Sequence, residues 1–206
     1  MKRAPAMRSI VRSSVQSAVA AAVLCGAFGC SRDEAYRPSP PAIHLLDLDG
    51  RPVDLWRPDR VTVVVFTRTD CPISNRAAPE IRRLYETYHP RGADFFLIYV
   101  DPREQPDAIR RHLQDYDYRC PGLRDPKHTL VARCGATVTP EAAVFGKDGA
   151  MTYLGRVDDQ YADVGQPRAQ ATAHDLADAI ESTLLGQPVA RPRTKAVGCL
   201  IADLKD

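Results

Sequence analysis

Among six cysteines and five histidines the sequence has no C-x2-C and no H-x3-H spacing, so the usual zinc sites are excluded. It also lacks a glycine-rich phosphate loop, a serine elbow and a paired-carboxylate constellation, so the commonest motif-borne nucleotide and hydrolase chemistries have no carrier. Excess charge is missing too. Without Lys2, Arg3, Arg8 and Arg12, which precede any acid, the formal +2 of the chain becomes about −2 for the remainder. No basic patch survives that correction, and nucleic acid is not expected as a partner. There is no internal repeat or low-complexity array. No metal and no cofactor is expected: the five histidines are scattered, and the aromatic residues fit core positions.

What is present reads as an ordinary globular protein behind an export leader. A hydrophobic fraction of 44% with 26% charged residues suits a soluble core, and 206 residues suffice for one domain. A basic stretch from Lys2 to Arg12 precedes an alanine-rich apolar run from Val15 to Phe28, too short to span a bilayer comfortably. Gly29-Cys30 and a polar, proline-rich stretch (31–41) follow. The arrangement resembles a bacterial lipoprotein signal with Cys30 lipidated, although Ala27-Phe28-Gly29 replaces the leucine usual three residues before the cysteine. The expected organisation is a signal peptide (1–29), a linker (30–41), a folded domain (42–187) and a tail (188–206). The expected location is the periplasm or cell envelope, with membrane contact only through the lipid anchor.

From Ile43 the chain alternates strand-like and helix-like segments. Ile43 to Leu48, an Asp49-Gly50 turn and Val53 to Leu55 suggest a hairpin. Val61 to Thr67 is a continuous β-branched run, the pattern of a strand buried on both faces, and 93–100 is a second. Helices are expected over 74–89, 105–116 and 126–134, the last stopped by Gly135. Residues 142–145 and 151–155 flank a Lys147-Asp148-Gly149 turn. A last helix starts at Thr172, capped with Asp175, and runs to about Leu185; regular structure ends at 188. That order predicts a three-layer α/β/α sandwich with a mixed central sheet.

Cys71 stands out. It follows a buried strand and opens a helix, where unpaired amides and the helix dipole favour thiolate over thiol. Pro72 suits the first helical turn, and Ser74 lies one turn from the sulfur.

The segment Phe66-Thr-Arg-Thr-Asp-Cys-Pro-Ile-Ser74 resembles the thioredoxin active-site segment, with Cys71 at the nucleophile position and Ser74 replacing the second cysteine. Pro79 resembles the helix-kinking proline, and Thr139-Pro140 the cis-proline loop that faces the nucleophile. Leu46-Asp-Leu-Asp-Gly-Arg-Pro-Val53 and Tyr99-Val-Asp-Pro-Arg103 are similar to segments of the redoxin group, which includes the alkyl hydroperoxide reductase/thiol-specific antioxidant family. The resemblance covers roughly residues 40–185. It implies a thioredoxin-like fold and an exported thiol oxidoreductase with antioxidant activity. The implied substrate is a peroxide or a protein or small-molecule disulfide, with an external thiol as reductant. Two departures bear on the activity. Arg68 stands three residues before Cys71, where peroxiredoxins have threonine, and Asn75 stands where Sco-type copper chaperones carry a second cysteine. A non-catalytic binding module or metallochaperone is therefore the alternative reading.

A second thiol has several candidates. Cys199 lies in a tail, Lys195-Ala-Val-Gly-Cys-Leu-Ile201, whose glycine and apolar residues suit a segment that docks and swings away. Redoxin-domain proteins with Cys-Pro-Ile-Ser-Asn have a similar Gly-Cys tail, and the resemblance implies that Cys199 resolves Cys71. Cys134 can approach Cys71, and Cys120 and Cys134 can pair with each other; spacing alone leaves these open. Arg156 is a candidate for stabilising the thiolate or a peroxide oxygen, against a plain pairing with Asp158 or Asp159. Arg68 and Asp70 tune Cys71 in opposite directions, and Glu141 is a candidate proton carrier.

Overall fold

The β-branched run from Val61 takes the doubly buried place its composition demands in the computed structural model, which describes residue 43 and residues 45–202. The signal segment, Cys25, Cys30, the linker and His44 lie outside the described residues. In chain order the elements are β1 (Leu45–Leu46), β2 (Pro52–Val53), β3 (Val61–Thr67), α1 (Pro72–Tyr88), β4 (Ala93–Tyr99) and α2 (Pro106–Asp115). Then come β5 (Gly122–Arg124), α3 (Thr129–Cys134), β6 (Val138–Thr139), β7 (Glu141–Phe145) and β8 (Met151–Gly155). The last are β9 (Tyr161–Asp163), β10 (Gln166–Pro167), α4 (Asp175–Leu184) and β11 (Cys199–Leu200).

Seven strands form one mixed sheet in the order β2-β1-β5-β4-β3-β7-β8. β3 pairs in parallel with β4, and β4 with β5, whereas β7 runs antiparallel to β3. Alternate side chains of β3 therefore serve opposite faces. Val61, Val63 and Val65 pack with Ala78, Ile81 and Leu84 of α1, Ile109 of α2 and Ile180 of α4. Val64 and Phe66 pack on the other face with Leu130 and Val131 of α3 and with Leu45 and Leu55. The result is the expected three-layer thioredoxin-like sandwich. Its register positions the site. Phe66 pairs with Glu141, so the loop entering β7 lies beside the end of β3, from which the chain turns into α1.

The structure departs from the sequence reading in three places and closes one alternative that reading left open. β5, β6 and the β9–β10 hairpin were not expected; each strand is two or three residues long, too short to show a period. The capping pair Thr172/Asp175 does not form. Thr172 gives both its N–H and its hydroxyl to Asp159, so α4 begins at Asp175 with no side-chain cap. Cys120 and Cys134 do not pair, because they pack on opposite faces of the sheet. Finally, the segment after Pro188 is not free. Leu154 N–H donates to Pro192 O (3.0 Å), Thr194 N–H to Leu154 O (3.2 Å) and Ile201 N–H to Thr137 O (2.9 Å). These bonds carry the tail past β8 to β6, where β11 adds as an antiparallel strand.

Candidate functional site

Cys71 is the N-cap of α1, with extended backbone (φ −86°, ψ 109°), and its carbonyl accepts the Asn75 N–H at 3.0 Å. Pro72 occupies the first helical position, where no N–H is required. The Thr139–Pro140 peptide is cis, and Cys71 Sγ donates to Thr139 O at 3.1 Å. The β11–β6 register sets Cys199 opposite Thr139 and Leu200 opposite Val138, and this delivers Cys199 Sγ to 2.7 Å from Cys71 Sγ. Cys71, Ser74, Thr139, Pro140 and Cys199 thus converge at one point, although their elements are far apart in the chain.

The two sulfurs differ in environment. Cys71 is 1% exposed and Cys199 half-buried. Burial raises the Cys71 thiol, but contacts with the Cys199 thiol, the Ser74 hydroxyl, Thr139 and the Ser74 amide outweigh it and hold Cys71 below the ordinary thiol value. The Ser74 and Thr139 hydroxyls are buried and have no hydrogen-bond partner among the described residues. Cys199 moves the other way. Burial, and its proton shared with Cys71, push it up to about 11. The two thiols are therefore shifted in opposite directions, Cys71 toward easier and Cys199 toward harder ionisation.

A polar network that the sequence reading missed fixes the loop before Cys71. Asn75 Nδ2 donates to Thr69 O (3.1 Å), which orients the amide and leaves Asn75 Oδ1 to accept from His112 Nε2 (2.8 Å). His112 Nδ1 then accepts the Tyr99 hydroxyl at 2.8 Å. Burial lowers the His112 pKa, in keeping with this neutral tautomer. Glu104 takes the other side of Thr69, accepting its N–H at 2.6 Å and its hydroxyl at 2.7 Å. Burial lifts the Glu104 carboxyl above its ordinary value against those two bonds. The only signal of this role in the sequence is that His112 follows Ile109 by three residues, on the apolar stripe of α2.

The remaining candidates make their bonds to groups other than the two sulfurs. Arg156 Nε is bound to buried Asp175 at 2.6 Å, and Arg191 reaches the same carboxylate at 2.9 Å, so its partner is neither the sulfur nor Asp158 or Asp159. Arg68 pairs with Asp70 at 2.8 Å and lies 3.6 Å from Asp101. Glu141 Oε2 accepts the Thr137 N–H at 2.8 Å and braces the loop before Pro140. Burial pushes Cys120 and Cys134 each up to about 12. His128 bonds Val100 O at 2.6 Å, and His174 lies 3.8 Å from Glu80.

A mixed sheet with helices on both faces, a cysteine capping the helix after the central strand and a cis-proline against its sulfur define a thioredoxin-like protein. The chain belongs to the Redoxin family, whose model matches residues 36–170. Among solved structures it is similar to an uncharacterized conserved protein from Geobacillus kaustophilus (25% identity, TM-score 0.71, covering 81% of this chain and 91% of that one). It is similar also to a hypothetical protein from Sinorhizobium meliloti 1021 (21% identity, TM-score 0.69, covering 79% and 91%). MTB dsbF, solved in mixed oxidized and reduced forms, shares the fold (17% identity, TM-score 0.50, covering 67% and 92%). Among curated proteins there is no match.

Proposed function

We propose that this protein is an exported thiol oxidoreductase in which Cys71 is the nucleophile and Cys199 the resolving thiol. The observation that carries the reading is the 2.7 Å approach of Cys199 Sγ to a Cys71 held below its ordinary pKa. A thiolate at Cys71 attacks one sulfur of a substrate disulfide and expels the other as thiolate. Cys199 then attacks the Cys71 sulfur, releases the second substrate thiol and closes a Cys71–Cys199 disulfide, which an external thiol reduces. Two electrons pass to the substrate.

A disulfide substrate is favoured over a peroxide. Peroxide reduction gains from a guanidinium on the developing oxygen charge, whereas Arg156 is engaged with Asp175 and Arg68 with Asp70. A lowered Cys71 with a neighbouring thiol also argues against a scaffold without turnover. Export and anchoring at Cys30 rest on the leader alone; a Cys30→Ala chain that stays membrane-bound contradicts the anchor. The redox reading is tested with Cys71→Ser, which abolishes thiol-dependent reduction of disulfides. A variant as active as the parent overturns it.

A further inference from the structure

The segment that brings Cys199 to Cys71 also closes the site. Cys71 is 1% exposed with β11 in place, so no protein disulfide reaches its sulfur in this arrangement. β11 is held by main-chain pairing to Val138–Thr139, directly before the cis-proline, and by the Ile201 N–H bond to Thr137 O. Gly198 makes that approach possible. A Cβ at this position would overlap the carbonyl of Thr139 and press on Pro140 N. Leu200 is 75% exposed, so the strand is held by its backbone and by Cys199 more than by its most apolar side chain. Beside it lies an open depression of mixed character, lined by Ile73, Pro140 and Val197 and by Arg156, Asp158 and Gln160, one wall of which belongs to the tail itself.

We propose that β11 is a built-in competitor of the protein partner: an extended, cysteine-bearing segment of a disulfide protein adds to Val138–Thr139 in the register Cys199 now occupies, and tail and partner exclude each other. This rests on the redox reading above and specifies how a partner is admitted. Strand addition supplies affinity through main-chain bonds, and one edge of β6 accepts one strand at a time. The partner displaces β11, and Cys71 attacks its cysteine and expels the second partner thiolate. Return of β11 then drives Cys199 onto the Cys71 sulfur, releasing the partner's first cysteine as thiolate, which takes the Cys199 proton. Two electrons leave the Cys71–Cys199 pair and both partner cysteines are reduced.

The probe is the tail's own hexapeptide, Ala-Val-Gly-Cys-Leu-Ile, as a mixed disulfide with thionitrobenzoate, with chromophore release as the readout on the full chain. Its serine analogue serves as an unreactive competitor. Gly198→Ala, and separately Ile201→Pro, which removes the N–H donated to Thr137 O, weaken the docked tail. With the pair reduced beforehand, both lower the peptide concentration that half-saturates the single-turnover rate, and the Ki of the serine peptide, by about tenfold, because apparent affinity scales with the fraction of open molecules. Values equal to the parent's in a folded variant, or no competition by the serine peptide, overturn the proposal. If Gly198→Ala fails to fold, the Ile201 variant decides. Failure of the redox reading looks different: the parent's Cys71 then leaves even 5,5′-dithiobis(2-nitrobenzoate) unreacted.

Discussion

Cys199 Sγ lies 2.7 Å from Cys71 Sγ across 128 residues of sequence, because a two-residue strand at the end of the chain pairs with the loop before a cis-proline. Ser74 stands one turn along the helix where thioredoxin-like segments carry a second cysteine, and in the proposed mechanism the tail supplies that thiol. The ionisation of Cys71 and the proposed exchange chemistry therefore depend on the same contact.

Replacing Cys199 with alanine removes the largest of the contacts that lower the Cys71 pKa. Losing a donor disfavours the charged form, so a lower proton concentration is needed to ionise Cys71. The pH profile of its alkylation by iodoacetamide moves to higher pH, and Ser74→Ala moves it the same way.

His112→Phe leaves Asn75 Oδ1 and the Tyr99 hydroxyl without the partner each now has. Buried groups left unpaired cost about 1–3 kcal/mol each, so denaturant unfolding shows a loss of about 3 kcal/mol. The parent also loses stability as pH falls below about 6.5, because the unfolded histidine takes up a proton that the buried, depressed one refuses. That slope is shallower in the variant.

Arg156→Ala lowers stability and spares the thiol. Asp175 is buried and keeps only Arg191 as a cationic partner. Removing one partner of a buried ion pair costs about 3–5 kcal/mol, here toward the low end because Arg191 remains, while the rate of Cys71 alkylation stays at the parent value. A large fall in that rate would return Arg156 to the active site.

Much of this architecture is legible in the sequence. β3, β4 and α1 announce themselves because each is long enough to show a burial pattern, and Cys71 is conspicuous because strand, cysteine and proline follow one another directly. The closing contact is not legible in that way. β6 and β11 are two residues each and carry no period, and nothing local links Asn75 to His112, 37 residues on. Arg156 shows the same limit. Its neighbours Asp158 and Asp159 were the local partners to expect, but the turn into α4 gives it Asp175, and Asp159 is spent on Thr172.

Cys120 and Cys134 lie in the core on opposite sheet faces and burial pushes each up to about 12, whereas Cys71, equally buried, is held below its ordinary value and is uncovered when the tail leaves. Brief alkylation under native conditions modifies Cys71 and spares these two, and only denaturation exposes them to the reagent. Early labelling of Cys134 would contradict its place in the core.

The most direct test is non-reducing peptide mapping of the full chain after oxidation by a single equivalent of a small disulfide. The account predicts one linkage, joining the peptide that contains Cys71 to the peptide that contains Cys199, with Cys120 and Cys134 recovered as thiols. A Cys120–Cys134 linkage with Cys199 free would contradict it.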